Sequence, residues 1–95
     1  MGPTSNVVTD KLITDEQLIA IDALLSTLAS TIIRTRKGRV WTLWISERPI
    51  DLTVTDSSCV TLAAGLNSQQ DYDILRQLGQ SLATLLHGIA SEPIK

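Results

Sequence analysis

The residues of this sequence that could perform covalent or acid-base chemistry are few and far apart. Cys59 and His87 are its only cysteine and its only histidine. A nucleophile and a base of this kind must lie within hydrogen-bond reach, with a third group orienting the base, and the spacing of these two residues does not require such a contact. We interpret Cys59 as a small buried side chain at the start of an apolar strand, and His87 as a capping or surface residue in the last turn of a helix.

The acidic residues and glycines give no clearer pattern. Asp71 and Asp73 stand two apart in a predicted helix, where such side chains point in different directions, so we assign them to compensation of the helix dipole. One cysteine provides no thiol pair for zinc, and the scattered glycines form no phosphate-binding loop. The sequence therefore predicts no enzyme activity, no metal site and no cofactor.

Positive charge is concentrated in one part of the chain. The net charge is −2 and the pI is near 5.1, yet no acidic residue lies between Asp22 and Glu47. That interval contains the basic cluster, which consists of Arg34, Arg36, Lys37 and Arg39. With Trp41 and Trp44 nearby, the cluster could bind nucleic acid. We favour a solvated turn after a helix, because the overall charge is acidic and cations suit a helix C-terminus.

Length and composition place the chain among small globular domains. The chain has 95 residues, of which 43% are hydrophobic and 19% are charged. This is enough for one hydrophobic core, and a domain of this size is only marginally stable by itself. We predict a flexible N-terminus over residues 1–12 and a single domain over residues 13–92. No apolar run approaches the roughly 18 residues of a membrane span, and no signal-peptide pattern is present. With a single cysteine, we expect a cytoplasmic protein that does not contact membranes.

The first predicted helix has the strongest local signal. Thr14 and Gln17 are spaced as a capping box, and apolar residues recur at helical spacing from Leu18 onward. The β-branched run that follows makes the C-terminal end ambiguous. We place this end between Ala29 and Arg36.

The middle of the chain reads as three strands. Alternating patterns cover residues 39–45, 50–55 and 59–64. A second helix, capped by Asn67 or Ser68, then runs to about Ala90 before Glu92 and Pro93. The predicted fold class is α+β, with the order helix, three-stranded antiparallel meander, helix.

The first of these strands carries large apolar residues on both faces. Trp41, Leu43 and Ile45 share one face, and Trp44 lies on the other among small and polar neighbours. A large aromatic residue in that position favours a protein interface. The interface hypothesis comprises five residues: Arg36, Lys37, Val40, Thr42 and Trp44.

The predicted element order, together with residues 52–76 (LTVTDSSCVTLAAGLNSQQDYDILR), resembles the C-terminal part of roadblock/LC7-type domains. In that family a strand, a polar turn and an apolar strand lead through a short polar loop into a final helix with an Ile/Leu-Leu-Arg opening. The helix start over residues 15–18 looks like the family's preceding helix. The resemblance covers about residues 14–90. The sequence departs from the family before Thr14, where a full-length member has another helix and two strands.

The resemblance implies a homodimer or heterodimer joined through the first helix and the first strand, and a role as a scaffold or as a regulator of a small GTPase. We therefore predict a non-enzymatic protein–protein interaction module, a scaffold or regulatory adaptor that pairs with itself or with a related subunit. Two alternatives stay open. One is a small nucleic-acid-binding protein that uses the basic cluster, and the other is a stand-alone inhibitor or immunity-type protein.

Overall fold

A computed structural model describes residues 2–35, 39–56 and 58–95, apart from the side chain of Asp56. In this part of the chain, six strands and two helices follow one another. They are β1 (Thr4–Thr9), α1 (Asp15–Leu28), β2 (Thr31–Arg34), β3 (Val40–Ile45), β4 (Arg48–Asp56), β5 (Cys59–Ala64), α2 (Gln69–Leu86) and β6 (Gly88–Ala90).

All six strands form one antiparallel sheet in the order β2-β3-β4-β5-β1-β6. Side chains alternate between the two faces along each strand, and one face supplies the core, with Val7, Trp41, Leu52 and Leu62 among its fully buried members. Both helices cover that face. The opposite face, which we call the open face, carries no helix among the described residues.

The helices complete a two-layer core. Leu18, Ile21 and Leu25 are the buried residues of α1, and α2 contributes a longer apolar stripe that contacts β1, β5 and β6. The α2 backbone approaches the sheet closely at Gly79, where an added Cβ would lie 3.4 Å from the Ala90 Cβ. One apolar layer therefore lies between the helices and the sheet.

The predicted three-stranded meander is wrong, because the sheet has six strands. The ambiguous β-branched run after α1 forms β2, which extends the meander to four strands. Isoleucine and threonine lose rotamer freedom in a helix and pack well in a strand. As a result α1 ends at Leu28, with Ala29 as its C-cap, just before the predicted interval of Ala29 to Arg36.

Two further strands lie on the far side of β5. The stretch predicted as a frayed N-terminus contains β1, which pairs with β5 and fully buries Val7. The second helix ends at Leu86 rather than near Ala90, since His87 adopts a left-handed conformation with φ 55°. The chain then pairs with β1 as β6, and an added Cβ at Gly88 would lie 2.6 Å from the Val8 carbonyl oxygen.

The predicted helix starts are confirmed. In the capping box of α1, the Gln17 amide donates to Thr14 Oγ1 at 3.2 Å, and the Thr14 amide donates to Gln17 Oε1 at 2.9 Å. The N-cap of α2 is Ser68. These local signals were sufficient to predict the helix starts, because the residues that bond to each other in each capping motif lie within four positions.

Candidate functional site

A strained turn joins β3 to β4. Ile45 pairs directly with Arg48, so the loop has only two residues, Ser46 and Glu47. Both have positive φ, 51° and 65°, as a type I′ hairpin turn requires. Asn and Gly normally occupy these positions, because other side chains cost about 1–2 kcal/mol each in this conformation. The tertiary structure must therefore hold the turn in place.

A buried ion pair anchors the C-terminal side of this turn. Arg48 Nη1 donates to Asp71 Oδ2 at 2.8 Å, and the Asp71 side chain is 0% exposed. The same oxygen accepts from the Ser68 amide at 2.9 Å and from Ser68 Oγ at 2.7 Å. Asp71 Oδ1 has no hydrogen-bond partner among the described residues. The ion pair joins the start of β4 to the first turn of α2.

The environment of Asp71 favours its ionised form. Burial acts to raise the pKa of this carboxyl group, but the Ser68 hydrogen bonds and the Arg48 guanidinium outweigh it and hold the pKa below its ordinary value. The carboxylate also lies at the positive end of the α2 dipole. Asp71 therefore remains charged at neutral pH and neutralises Arg48.

A shallow pocket lies on the N-terminal side of the turn. Its volume is about 320 Å³, and its lining residues are Ser30, Thr31, Trp44 and Glu47; we call it the corner pocket. The Ser30 amide and Oγ both donate to the Trp44 carbonyl, at 2.9 and 3.2 Å. Glu47 is exposed and forms no ion pair within the described part of the chain. An aromatic side chain and an uncompensated carboxylate thus share one concave surface.

A second, apolar cleft lies between the helices. Its lining includes Leu28 of α1, Ile45 of β3, and Ile74 and Leu78 of α2. Its volume is about 130 Å³, below the roughly 300 Å³ at which pockets begin to hold drug-sized ligands. The cleft marks the flank of α1 that faces α2.

The free edge of β2, which we call the β2 edge, exposes an apolar side chain. The Thr35 amide donates to the Val40 carbonyl at 3.0 Å. Thr35 and Val40 are therefore a hydrogen-bonded pair at the end of the β2–β3 ladder. In an antiparallel ladder such pairs alternate with non-hydrogen-bonded ones, which directs the amide and carbonyl of Ile32 away from β3. Ile33, the next residue, projects from the open face and is 57% exposed.

The α1 flank above the β2 edge carries a second exposed apolar residue. The Trp41 Nε1 donates to Asp22 Oδ1 at 2.9 Å, which fixes this side of α1 over β3, and the Arg34 Cζ lies 5.1 Å from the Trp41 ring centroid. Ile19 precedes Asp22 by one helical turn, so it lies beside it on the helix surface. Ile19 is 65% exposed.

The opposite edge of the sheet has the features that natural proteins use against edge pairing. β6 is only three residues long, and Glu92 and Pro93 follow it within three residues. Ser91 and Ile94 continue along β1 with backbone hydrogen bonds to Asn6 and Thr4. Proline has no amide to donate to another strand. The β2 edge has neither proline nor acidic residues within Thr31–Arg34.

The hypothesised interface residues separate into two groups. Val40, Thr42 and Trp44 project from the open face and are all half-buried; Thr42 Oγ1 donates to Asp51 Oδ1 at 2.9 Å. Arg36 and Lys37 lie outside the described residues. Trp44 pairs with Thr31 of β2 and Pro49 of β4, which places it one strand in from the β2 edge.

No hydrogen bond joins the two reactive side chains, Cys59 and His87, which both lie in the described part of the chain. Cys59 lies at the start of β5 and is half-buried, less than the buried side chain interpreted from the sequence. His87 is exposed at the α2 C-cap, which agrees with its interpretation as a capping or surface residue. Across the described residues, no group of histidine, cysteine and acidic side chains could hold a metal ion. In the same part of the chain, neither helix is long and apolar enough to cross a membrane.

The two tryptophans do not form a shared stacking surface. Trp41 is fully buried on the helix-covered face, whereas Trp44 projects from the open face. The ring of Trp41 therefore has no exposed face on which a nucleic-acid base could stack, and the Arg34 guanidinium lies over it.

Sequence reasoning missed the ion pair between Arg48 and Asp71. Asp71 is not a surface residue that only compensates the helix dipole. Its spacing from Ser68 is that of a capping box, and this was the available signal. Its partner lies 23 positions earlier in the chain, and nothing local indicates that contact.

Comparison with family models, with curated proteins and with solved structures finds no match for the chain.

Proposed function

We propose that this chain is a non-enzymatic protein–protein interaction module that forms a homodimer by antiparallel pairing of two β2 strands. The observation that carries the proposal is the β2 edge itself. It is a β-branched edge strand with an exposed isoleucine, Ile33, and without the proline and acidic residues that accompany β6. Such an edge is a template for a further strand.

One register for this pairing agrees with the strand geometry. In an antiparallel pair, residues directly opposite each other project from the same face. A twofold axis between two identical strands therefore passes between one residue and the same residue of the second copy. An axis at Ile32 lets its outward-directed amide and carbonyl bond to those of Ile32 in the second copy. Ile33 of each copy then lies opposite Thr31 of the other.

This register also extends the open face beyond Trp44. Thr31 is the cross-strand neighbour of Trp44 on the open face, so Ile33 of the second copy would lie on the other side of Thr31 from that ring. Non-hydrogen-bonded pairs bring side chains particularly close, with Cα atoms about 4.5 Å apart. The exposed Ile33 of one copy would thus contact Thr31 of the other, one strand away from Trp44.

The α1 flank supports the same arrangement. Ile19 lies on the side of α1 above the β2 edge, whereas Leu28 lies toward α2. Two copies joined at β2 would bring their Ile19 side chains toward the same axis. The resemblance to roadblock/LC7-type domains implies a dimer through the first helix and the first predicted strand, which is β3. The proposed dimer uses α1 and β2, the strand that pairs with β3.

Dimerisation would join the two open faces into one continuous surface. Its middle would contain Ile33, Thr42 and Trp44 of both copies, flanked by small polar residues. A broad sheet surface with a central aromatic group suits a scaffold or regulatory adaptor. A small GTPase remains the partner class that the resemblance implies.

Sedimentation equilibrium tests the dimer. We expect the wild type to associate reversibly, and Ile33→Lys to weaken the association roughly tenfold or more, because a charge would be placed within the new apolar contact. The matched control is Ile89→Lys, since Ile89 is also an exposed isoleucine on an edge strand, β6 (78% exposed, against 57% for Ile33). A wild type that stays monomeric at millimolar concentration would refute the proposal.

A further inference from the structure

We propose that the corner pocket binds a basic side chain, arginine or lysine, of a partner protein. The pocket brings together Trp44, Glu47 and the hydroxyl-bearing residues Ser30 and Thr31. An aromatic face attracts a cation through the ring quadrupole. A carboxylate beside it supplies an opposite charge and hydrogen-bond acceptors, so the chemistry of the lining suits a cation and not an anion.

The charge balance around the turn leaves Glu47 available. Its neighbour Arg48 is the nearest basic residue in the chain, but the guanidinium of Arg48 points to α2 and is paired with the buried Asp71. Glu47 has no such partner among the described residues. Within the described part of the chain, one negative charge is therefore left without an ion pair at the corner.

The pocket is held in shape before any ligand arrives. The type I′ turn fixes the backbone of Glu47 in a narrow conformational region, and the ion pair between Arg48 and Asp71 anchors the residue that follows it. On the other wall, Ser30 donates two hydrogen bonds to the Trp44 carbonyl. A pre-organised site loses less conformational entropy on binding, which favours even a small ligand.

This inference goes beyond the homodimer and does not depend on it. Trp44 and Glu47 belong to one chain, so a monomer carries the complete pair of recognition groups. Pairing of the β2 strands would add Ile33 of the second copy as an apolar wall near Thr31. The failure of either proposal therefore leaves the other standing.

An NMR titration tests the site with defined probes. The indole N–H signal of Trp44 is followed while N-acetyl-arginine amide, N-acetyl-lysine amide or the neutral N-acetyl-citrulline amide is added at constant ionic strength. The indole of Trp41 serves as an internal reference, because it is buried and bonded to Asp22. We expect the Trp44 signal to move with both cations, more with arginine, and to respond only weakly to citrulline.

Two matched variants identify the carboxylate. Glu47→Gln preserves the size of the side chain and should reduce the response of Trp44 to the cations by roughly threefold or more. Glu16→Gln removes another exposed carboxylate, in the first turn of α1, and should leave the response unchanged. No movement of the Trp44 signal with either cation, an equal response to citrulline, or an unchanged response in Glu47→Gln would overturn the proposal.

Discussion

Arg48 Nη1 donates a hydrogen bond to Asp71 Oδ2 over 2.8 Å, and this contact ties a strained hairpin turn to the first turn of α2. The carboxylate is fully buried, whereas the Arg48 side chain is 25% exposed. Together the two side chains connect the sheet layer with the helix layer at the same corner as the pocket formed by Trp44 and Glu47. The stability of the fold and the geometry of the pocket are therefore linked.

Removal of the buried carboxylate should destabilise the protein substantially. In Asp71→Ala, the Arg48 guanidinium and the Ser68 amide lose their acceptor, and loss of one partner of a buried pair costs about 3–5 kcal/mol. Asp73→Ala is the control, because the ion pair of Asp73 with Arg76 is exposed and should contribute less than about 1 kcal/mol. Urea unfolding measures the unfolding free energies of both variants. If both variants lost the same unfolding free energy, Asp71 would not be the stabilising partner of Arg48.

The stability should also depend on pH through Asp71. Its pKa is lower in the folded state than in the unfolded state, so its contribution is fully present above the ordinary carboxyl pKa of about 4 and is lost as the pH falls through the folded value. The difference in unfolding free energy between wild type and Asp71→Asn should therefore shrink as the pH is lowered from 7 to below 4. Parallel pH profiles of the two proteins would show that Asp71 does not titrate in this way.

Relief of the strained turn should stabilise the fold. The double variant Ser46→Asn, Glu47→Gly places the preferred residues of a type I′ turn at φ 51° and 65° and should raise the unfolding free energy by about 1–2 kcal/mol. The same variant lacks the Glu47 carboxylate, so it should respond weakly to the arginine probe. Thermal unfolding and the NMR titration measure the two effects. A loss of stability would mean that Ser46 or Glu47 makes contacts that outweigh the strain.

The contact of α1 with the sheet should depend on Asp22. Asp22→Leu leaves the indole N–H of the buried Trp41 without its acceptor, and an unsatisfied buried donor costs about 1–3 kcal/mol. Asp22→Asn retains a side-chain oxygen as acceptor, so its unfolding free energy should fall by less. Urea unfolding of both variants measures the difference. Identical stabilities would indicate that water replaces the lost acceptor at no cost.

The elements that the sequence predicted well are those defined by nearby residues. The start of α1 follows from Thr14 and Gln17, and β3, β4 and β5 follow from alternation within each segment. The strand β1 was missed because two of its three inward-facing positions are polar. Ser5 is buried through a hydrogen bond from its Oγ to the Ser91 carbonyl, 86 positions away, and no local pattern indicates that partner.

In the candidate site, too, features that depend on nearby residues were predicted and features that depend on distant residues were not. The face from which Trp44 projects was predicted correctly, because alternation along the strand assigns it, whereas its role in an interface stays a prediction. The corner pocket was not predicted, since it needs residues from β2, β3 and the following turn, and the left-handed backbone of Ser46 and Glu47 has no signature in these residue types. Asp71 was misread because its burial depends on Arg48, which a sequence pattern does not connect to it.

Cysteine cross-linking across the proposed dimer axis is the most direct test of the account. In a Cys59→Ser background, a chain with Ile33→Cys is mixed with a chain with Thr31→Cys. The proposed register places these two residues opposite each other with Cα atoms about 4.5 Å apart, within the range of a disulfide bond. We predict rapid formation of the mixed disulfide dimer, faster than either chain links to itself. A mixed product that forms no faster than with Ile89→Cys on β6 would contradict the pairing of β2 strands.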